Sequence, residues 1–105
     1  MPNFIITYRG RAKPKNPEQG KAHVGKWRDW ISSLGDAIIN PGTPLKEATI
    51  ITANGISQEA NANAMGGFMI FTADDMEAAI KIAQSDPYLE MESATLELAQ
   101  IIEMG

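Results

Sequence analysis

The sequence contains no cysteine and a single histidine, His23. Disulfides, thiolate metal sites and cysteine nucleophiles are thereby excluded, and transition-metal binding is left with almost no ligands. No apolar run approaches the roughly 18 residues needed to span a bilayer, and the start lacks a basic stretch followed by an apolar one. Basic charge is also scarce: nine Lys and Arg stand against thirteen Asp and Glu, for a net charge of −4. Duplex nucleic acid and anionic membranes both demand concentrated positive charge, so neither is an expected partner. Arg9, Arg11, Lys13 and Lys15 lie close together, but four charges in a loop read first as a solvated loop and only second as a phosphate site. No Gly-rich phosphate loop is present, because Gly66-Gly67 precedes a strand and no lysine follows. No serine sits in a nucleophile-elbow pattern. The absences suit a reducing cytoplasm, and neither a cofactor nor a metal is expected.

What is present fits one domain of 105 residues, close to the commonest domain size. The central stretch runs from Met65 to Tyr88. Phe68 to Phe71 form a short continuous apolar run after two glycines, the pattern of a strand buried on both faces. Asp74 fits a helix N-cap with Glu77 closing a capping box. Met76, Ala79, Ile80 and Ala83 make one apolar stripe, and Asp86-Pro87 stops the helix.

Asn3–Tyr8 reads as the first strand, with Phe4, Ile6 and Tyr8 on one face and Ile5 and Thr7 on the other. Asn16 caps a helix that has Pro17 in its first position and Gln19 placed to close the box. Trp27, Trp30, Ile31 and Leu34 form its apolar stripe, with Gly35 as the stop. Asp36–Asn40 and Glu47–Ala53 read as strands, Asn54-Gly55 as a tight turn, and Gln58–Ala64 as a polar loop. Ala94–Glu103 alternates as a last strand, with a helix as the alternative. The β-α-β-β-α-β order predicts an α+β, ferredoxin-like sheet with both helices on one face. Several strands are apolar on both parities, and two helices cover only one face. Burying the other against a second copy predicts a homodimer through the open sheet face.

The chain resembles the YCII-related family, which includes the DGPF-motif proteins. The likeness lies in Tyr8-Arg9-Gly10, in Trp27-x-x-Trp30 leading to Ser33-Leu34-Gly35-Asp36-Ala37, and in Asn40-x-Gly42-x-Pro44. It continues in Gly66-Gly67-Phe68 before Ala73-Asp74, and in Ile101-Ile102-Glu103-Met104. The resemblance implies a dimeric α/β barrel. In some branches it also implies a histidine–aspartate pair, matched here by His23 and by Asp86 before Pro87. Where the namesake motif belongs, this chain reads Asn54-Gly55-Ile56-Ser57.

His23 lies on the same stripe as Trp27, Trp30 and Leu34. It reads either as a general base held by a carboxylate or as an ordinary histidine near a helix start. Asp86 is either its partner or the cap of the turn that Pro87 forces. Trp27 and Trp30 fit a core at helical spacing before they fit an aromatic pocket. Tyr8 and Arg9, at a strand end, are candidates to anchor an anionic ligand or a plain surface pair. Three functions stay open: a module binding a small organic ligand in a cleft between sheet and helices, a cofactor-free acid–base enzyme, and a non-catalytic structural or protein-interaction dimer.

Overall fold

The computed structural model describes residues 1–10, 14–57 and 64–104. Arg11 and Lys13 of the basic cluster and most of the polar 58–64 stretch lie outside the described residues. The elements are β1 (Asn3–Arg9), α1 (Pro17–Leu34), β2 (Ile38–Asn40), β3 (Ile50–Thr52), β4 (Gly55–Ser57), β5 (Gly67–Thr72), α2 (Met76–Gln84) and β6 (Thr95–Gln100). Short 3-10 turns precede β2 and follow α2.

Four strands form an antiparallel sheet in the order β2-β5-β1-β6. Leaving out β3 and β4, the chain runs β-α-β-β-α-β with its first and third strands central, which is the ferredoxin-like arrangement. Register places Ile6 opposite Met69 and Leu98, and Phe4 opposite Phe71 and Gln100. Phe4, Ile6, Met69 and Phe71 are fully buried, each contributing about 1.5–3 kcal/mol by burial. They meet Trp30 of α1 and Ala79 and Ala83 of α2 in one cluster, so both helices share a face. By strand alternation the other face carries Ile5, Thr7, Phe68, Ile70 and Ala99.

Both helix starts are set by side-chain caps. Asn16 Oδ1 accepts from Gln19 N at 2.8 Å, with Pro17 in the first turn, and the Gln19 side chain accepts from Lys15 N. For α2 the expected cap is corrected by one residue: Asp75, not Asp74, accepts from Ala78 N at 2.8 Å. The expected stripe is corrected too. Ala79 and Ala83 are buried, whereas Met76 and Ile80 are exposed. The small residues let the helix backbone sit close over the sheet, and the longer side chains fall to its flank.

A third correction concerns Glu47–Ala53. Only Ile50–Thr52 is extended, and it pairs with Gly55–Ser57 in a two-stranded hairpin outside the main sheet. Its cross-strand pair Ile51 and Ile56 is 75% and 72% exposed. The molecule is flat, 44 × 40 × 19 Å, and its radius of gyration of 15.0 Å exceeds the roughly 13 Å of a compact domain this size. A hairpin standing off the body fits that excess.

Candidate functional site

The segment after β2 turns on Asn40, whose side chain accepts from Gly42 N at 2.8 Å. Gly42 has φ +74°, and a Cβ there would lie 1.6 Å from the Phe68 carbonyl oxygen. Only glycine lets the chain cross β5 at this distance. Pro44 then bridges to Gly67, Leu45 N donates to the Gly66 carbonyl at 2.8 Å, and Gly66 N donates to the Tyr8 carbonyl at 2.7 Å. This ladder carries residues 42–48 alongside α1.

Between them lies a cleft of about 1070 Å³. Tyr8 lines it from β1, His23 and Trp27 from α1, and Tyr88 from the turn after α2. Arg28 and Lys46 add positive charge, and Glu47 is an acidic group on its wall. The Tyr8 and Tyr88 rings meet edge to face with centroids 5.0 Å apart, a favoured aromatic geometry.

Behind Tyr8 sits Asp86, 2% exposed. Its Oδ1 accepts from Tyr88 N at 2.9 Å, capping the turn at Pro87. Its Oδ2 accepts from the Tyr8 hydroxyl at 2.5 Å. The Tyr88 hydroxyl donates to the Arg9 carbonyl at 2.8 Å, fastening the turn to the end of β1. Trp30 Nε1 donates to Ser85 Oγ at 2.7 Å, so the residue before Asp86 is tied to α1. The carboxyl therefore accepts from β1 and from its own turn, and that turn is fastened to β1 and to α1.

Burial pushes the Asp86 carboxyl above the usual carboxylate range; the Tyr8 hydroxyl, the Tyr88 N–H and the charge of His23 pull against it. Burial and the Asp86 charge push the Tyr8 phenol well above its ordinary value, so Tyr8 keeps its proton at neutral pH.

The expected site residues separate. Tyr8, His23 and Trp27 share the cleft. Asp86 lies behind Tyr8, and His23 acts on it through charge; among the described residues no hydrogen bond joins the two. Trp30 belongs to the core, with Trp27 packed against it while also facing the cleft. Arg9 lies on the opposite sheet face, where it approaches Glu97 at 3.7 Å and Thr7 Oγ1 at 3.4 Å. The direct Tyr8–Asp86 bond joins residues 78 apart in sequence, and no local pattern announces it. Arg28, Lys46 and Tyr88 are also new to the site. Among the described residues no three His, Asp or Glu side chains are grouped to hold a metal ion. No helix among them is long and apolar enough to cross a membrane.

The YCII-related domain matches residues 13–104, nearly the whole chain. The chain belongs to the YCII-related family. No curated protein matches this sequence. Among solved structures, the fold is similar to 5-chloro-2-hydroxyhydroquinone dehydrochlorinase from Burkholderia phenoliruptrix, in complex with 2,5-dihydroxybenzoquinone. The TM-score is 0.54 at 18% identity, over 90% of each chain. This likeness supports the ferredoxin-like architecture of the YCII-related chain.

Proposed function

We propose that this YCII-related protein binds a small organic molecule in the cleft beside Tyr8, His23 and Trp27. The observation that carries the reading is the cleft itself. Its about 1070 Å³ slightly exceeds the range of roughly 300–1,000 Å³ usual for small-molecule sites. Apolar and aromatic walls enclose a few convergent polar groups, and one of these is backed by a buried carboxyl. The similar dehydrochlorinase is solved in complex with a small organic molecule, 2,5-dihydroxybenzoquinone, on the same architecture. In this reading the protein acts as a homodimer in the cytoplasm, with Ile5, Phe68 and Ile70 covered by the second copy.

A second reading is favoured by the electrostatic contact between His23 and Asp86. His23 stands on the cleft wall, where a ligand proton would reach it, and its charge acts on the Asp86 carboxyl behind Tyr8. The protein would then be a cofactor-free acid–base enzyme.

Thermal denaturation across a library of small organic metabolites tests the binding reading, because any ligand of the native state raises Tm. Ala48 lines the cleft and is exposed; Ala48→Trp places an indole at the cleft wall without replacing a core residue. Hits that stabilise the native sequence and fail on Ala48→Trp support the cleft. Hits indifferent to the substitution, or none, overturn it.

A further inference from the structure

The polarity of the cleft restricts what chemical class it can accept. Tyr8 has one hydroxyl proton, and that proton is committed to Asp86 Oδ2 at 2.5 Å. Toward the cleft its oxygen can only accept, and the Trp27 side chain already donates to it, which leaves one lone pair for a ligand. A ligand acceptor placed there would face another acceptor, whereas a ligand hydroxyl would donate. The chain from ligand to Tyr8 to Asp86 would then run in one direction, each bond polarising the next.

Charge adds a second restriction. The whole chain carries more acids than bases, thirteen against nine. The cleft wall reverses the balance, with Arg28 and Lys46 against Glu47. A cleft bordered by protein concentrates such a field on whatever enters. Shape supplies the third. Trp27, Tyr8 and Tyr88 contribute aromatic side chains to the cleft lining, which suit a flat molecule.

We propose that the ligand is a planar hydroxylated ring bearing an anionic group, its hydroxyl donating to Tyr8 and its anion facing Arg28 and Lys46. This rests on the small-ligand reading above and gives it a chemical class.

Calorimetric titration of the unmodified protein tests it with four probes. 4-Hydroxybenzoate and 4-hydroxycinnamate carry both features at different separations. 4-Methoxybenzoate lacks the donor, and 4-hydroxybenzamide lacks the charge. At least one hydroxy acid is expected to bind at least tenfold tighter than either control. Arg28→Gln with Lys46→Gln is expected to weaken the acid at least fivefold and leave the amide unchanged, and added salt is expected to weaken the acid alone. A methyl ether that binds as well as the hydroxy acid overturns the donor assignment. An amide that binds as well overturns the anion. In both cases the cleft remains a binding site. If none of the four binds while the metabolite library yields cleft-dependent ligands of other chemistry, the class is wrong; if the library also fails, the cleft reading falls with it.

Discussion

Tyr8→Phe removes a single oxygen, and its cost is calculable from the surroundings of Asp86. The ring remains, so the edge-to-face contact with Tyr88 is kept. What is lost is a 2.5 Å donor to a carboxyl that is 2% exposed. A hydrogen bond to a charged group is worth about 1.5–3 kcal/mol, and a neutral one about 0.5–1.5. Tyr88 N still supports Oδ1, so the expected loss is about 2 kcal/mol with Asp86 ionised and about 1 kcal/mol with it protonated. At about 4–8 °C per kcal/mol for a domain of this size, Tm falls by roughly 10 °C at neutral pH and half that in acid. The pH dependence has a definite sign. The folded Asp86 pKa lies above its ordinary value, so the native state binds more protons between the two and stability falls as pH rises through that window. Without the Tyr8 donor the folded pKa rises further, so the fall extends over a wider pH range and is larger in total. The gap between the unmodified protein and Tyr8→Phe must therefore open as pH increases. Urea denaturation followed by tryptophan fluorescence at about pH 3.5 and pH 7.5, either side of the ordinary carboxylate range, measures it. A gap under about 0.5 kcal/mol at neutral pH, below the range for a charged bond, or one that stays constant or narrows with pH, would refute the account of Asp86.

His23→Gln removes a positive charge that lowers the Asp86 pKa, so the Asp86 carboxyl resonance is expected to titrate at higher pH; an unchanged midpoint would end the histidine–aspartate reading. Gly42→Ala drives a Cβ into the Phe68 carbonyl at φ +74°, and urea midpoints should show a loss well beyond the roughly 1 kcal/mol of a strained glycine site alone. Gly35→Ala, with φ +52° and nothing within 4 Å, is the matched control, and equal losses would contradict the close crossing. Ile5→Lys places a charge on the open sheet face, and sedimentation at micromolar concentration should show a dimer for the unmodified protein and a monomer for the variant. A monomer in both removes the proposed pairing.

Elements whose structure is decided by their own residues were legible in the sequence. The alternation of Phe4, Ile6 and Tyr8, the Asn16-Pro17 start and the apolar run Phe68–Phe71 each carry a local physical cause. Asp74 and Asp75 are adjacent, and either can cap; the choice fell to how α2 rotates on the sheet. That rotation also exposed Met76 and Ile80, because alanines allow a closer approach than a stripe of large residues. Ile50–Thr52 has good strand residues, but its partner is chosen by where the loop after Pro44 leads, and this route is fixed by Gly42 and Gly66. The site was legible in part for the same reason. His23, Trp27 and Tyr8 lie on faces that periodicity defines, so their sharing a cleft follows once the helix lies on the sheet. Asp86 bonding to Tyr8 depends on a turn that its own Tyr88 fastens to the end of β1 and that Trp30 ties to α1, contacts made only across distant parts of the chain.

The hairpin of β3 and β4 has a thermodynamic consequence of its own. Its ladder spans three residue pairs, and its isoleucines face water, so little apolar area is surrendered when it opens. An isolated two-stranded ribbon is marginal in water. It should therefore melt as a separate cooperative unit. Backbone amides of residues 50–57 are expected to exchange with deuterium long before those of β1 and β5, whose protection reports global unfolding.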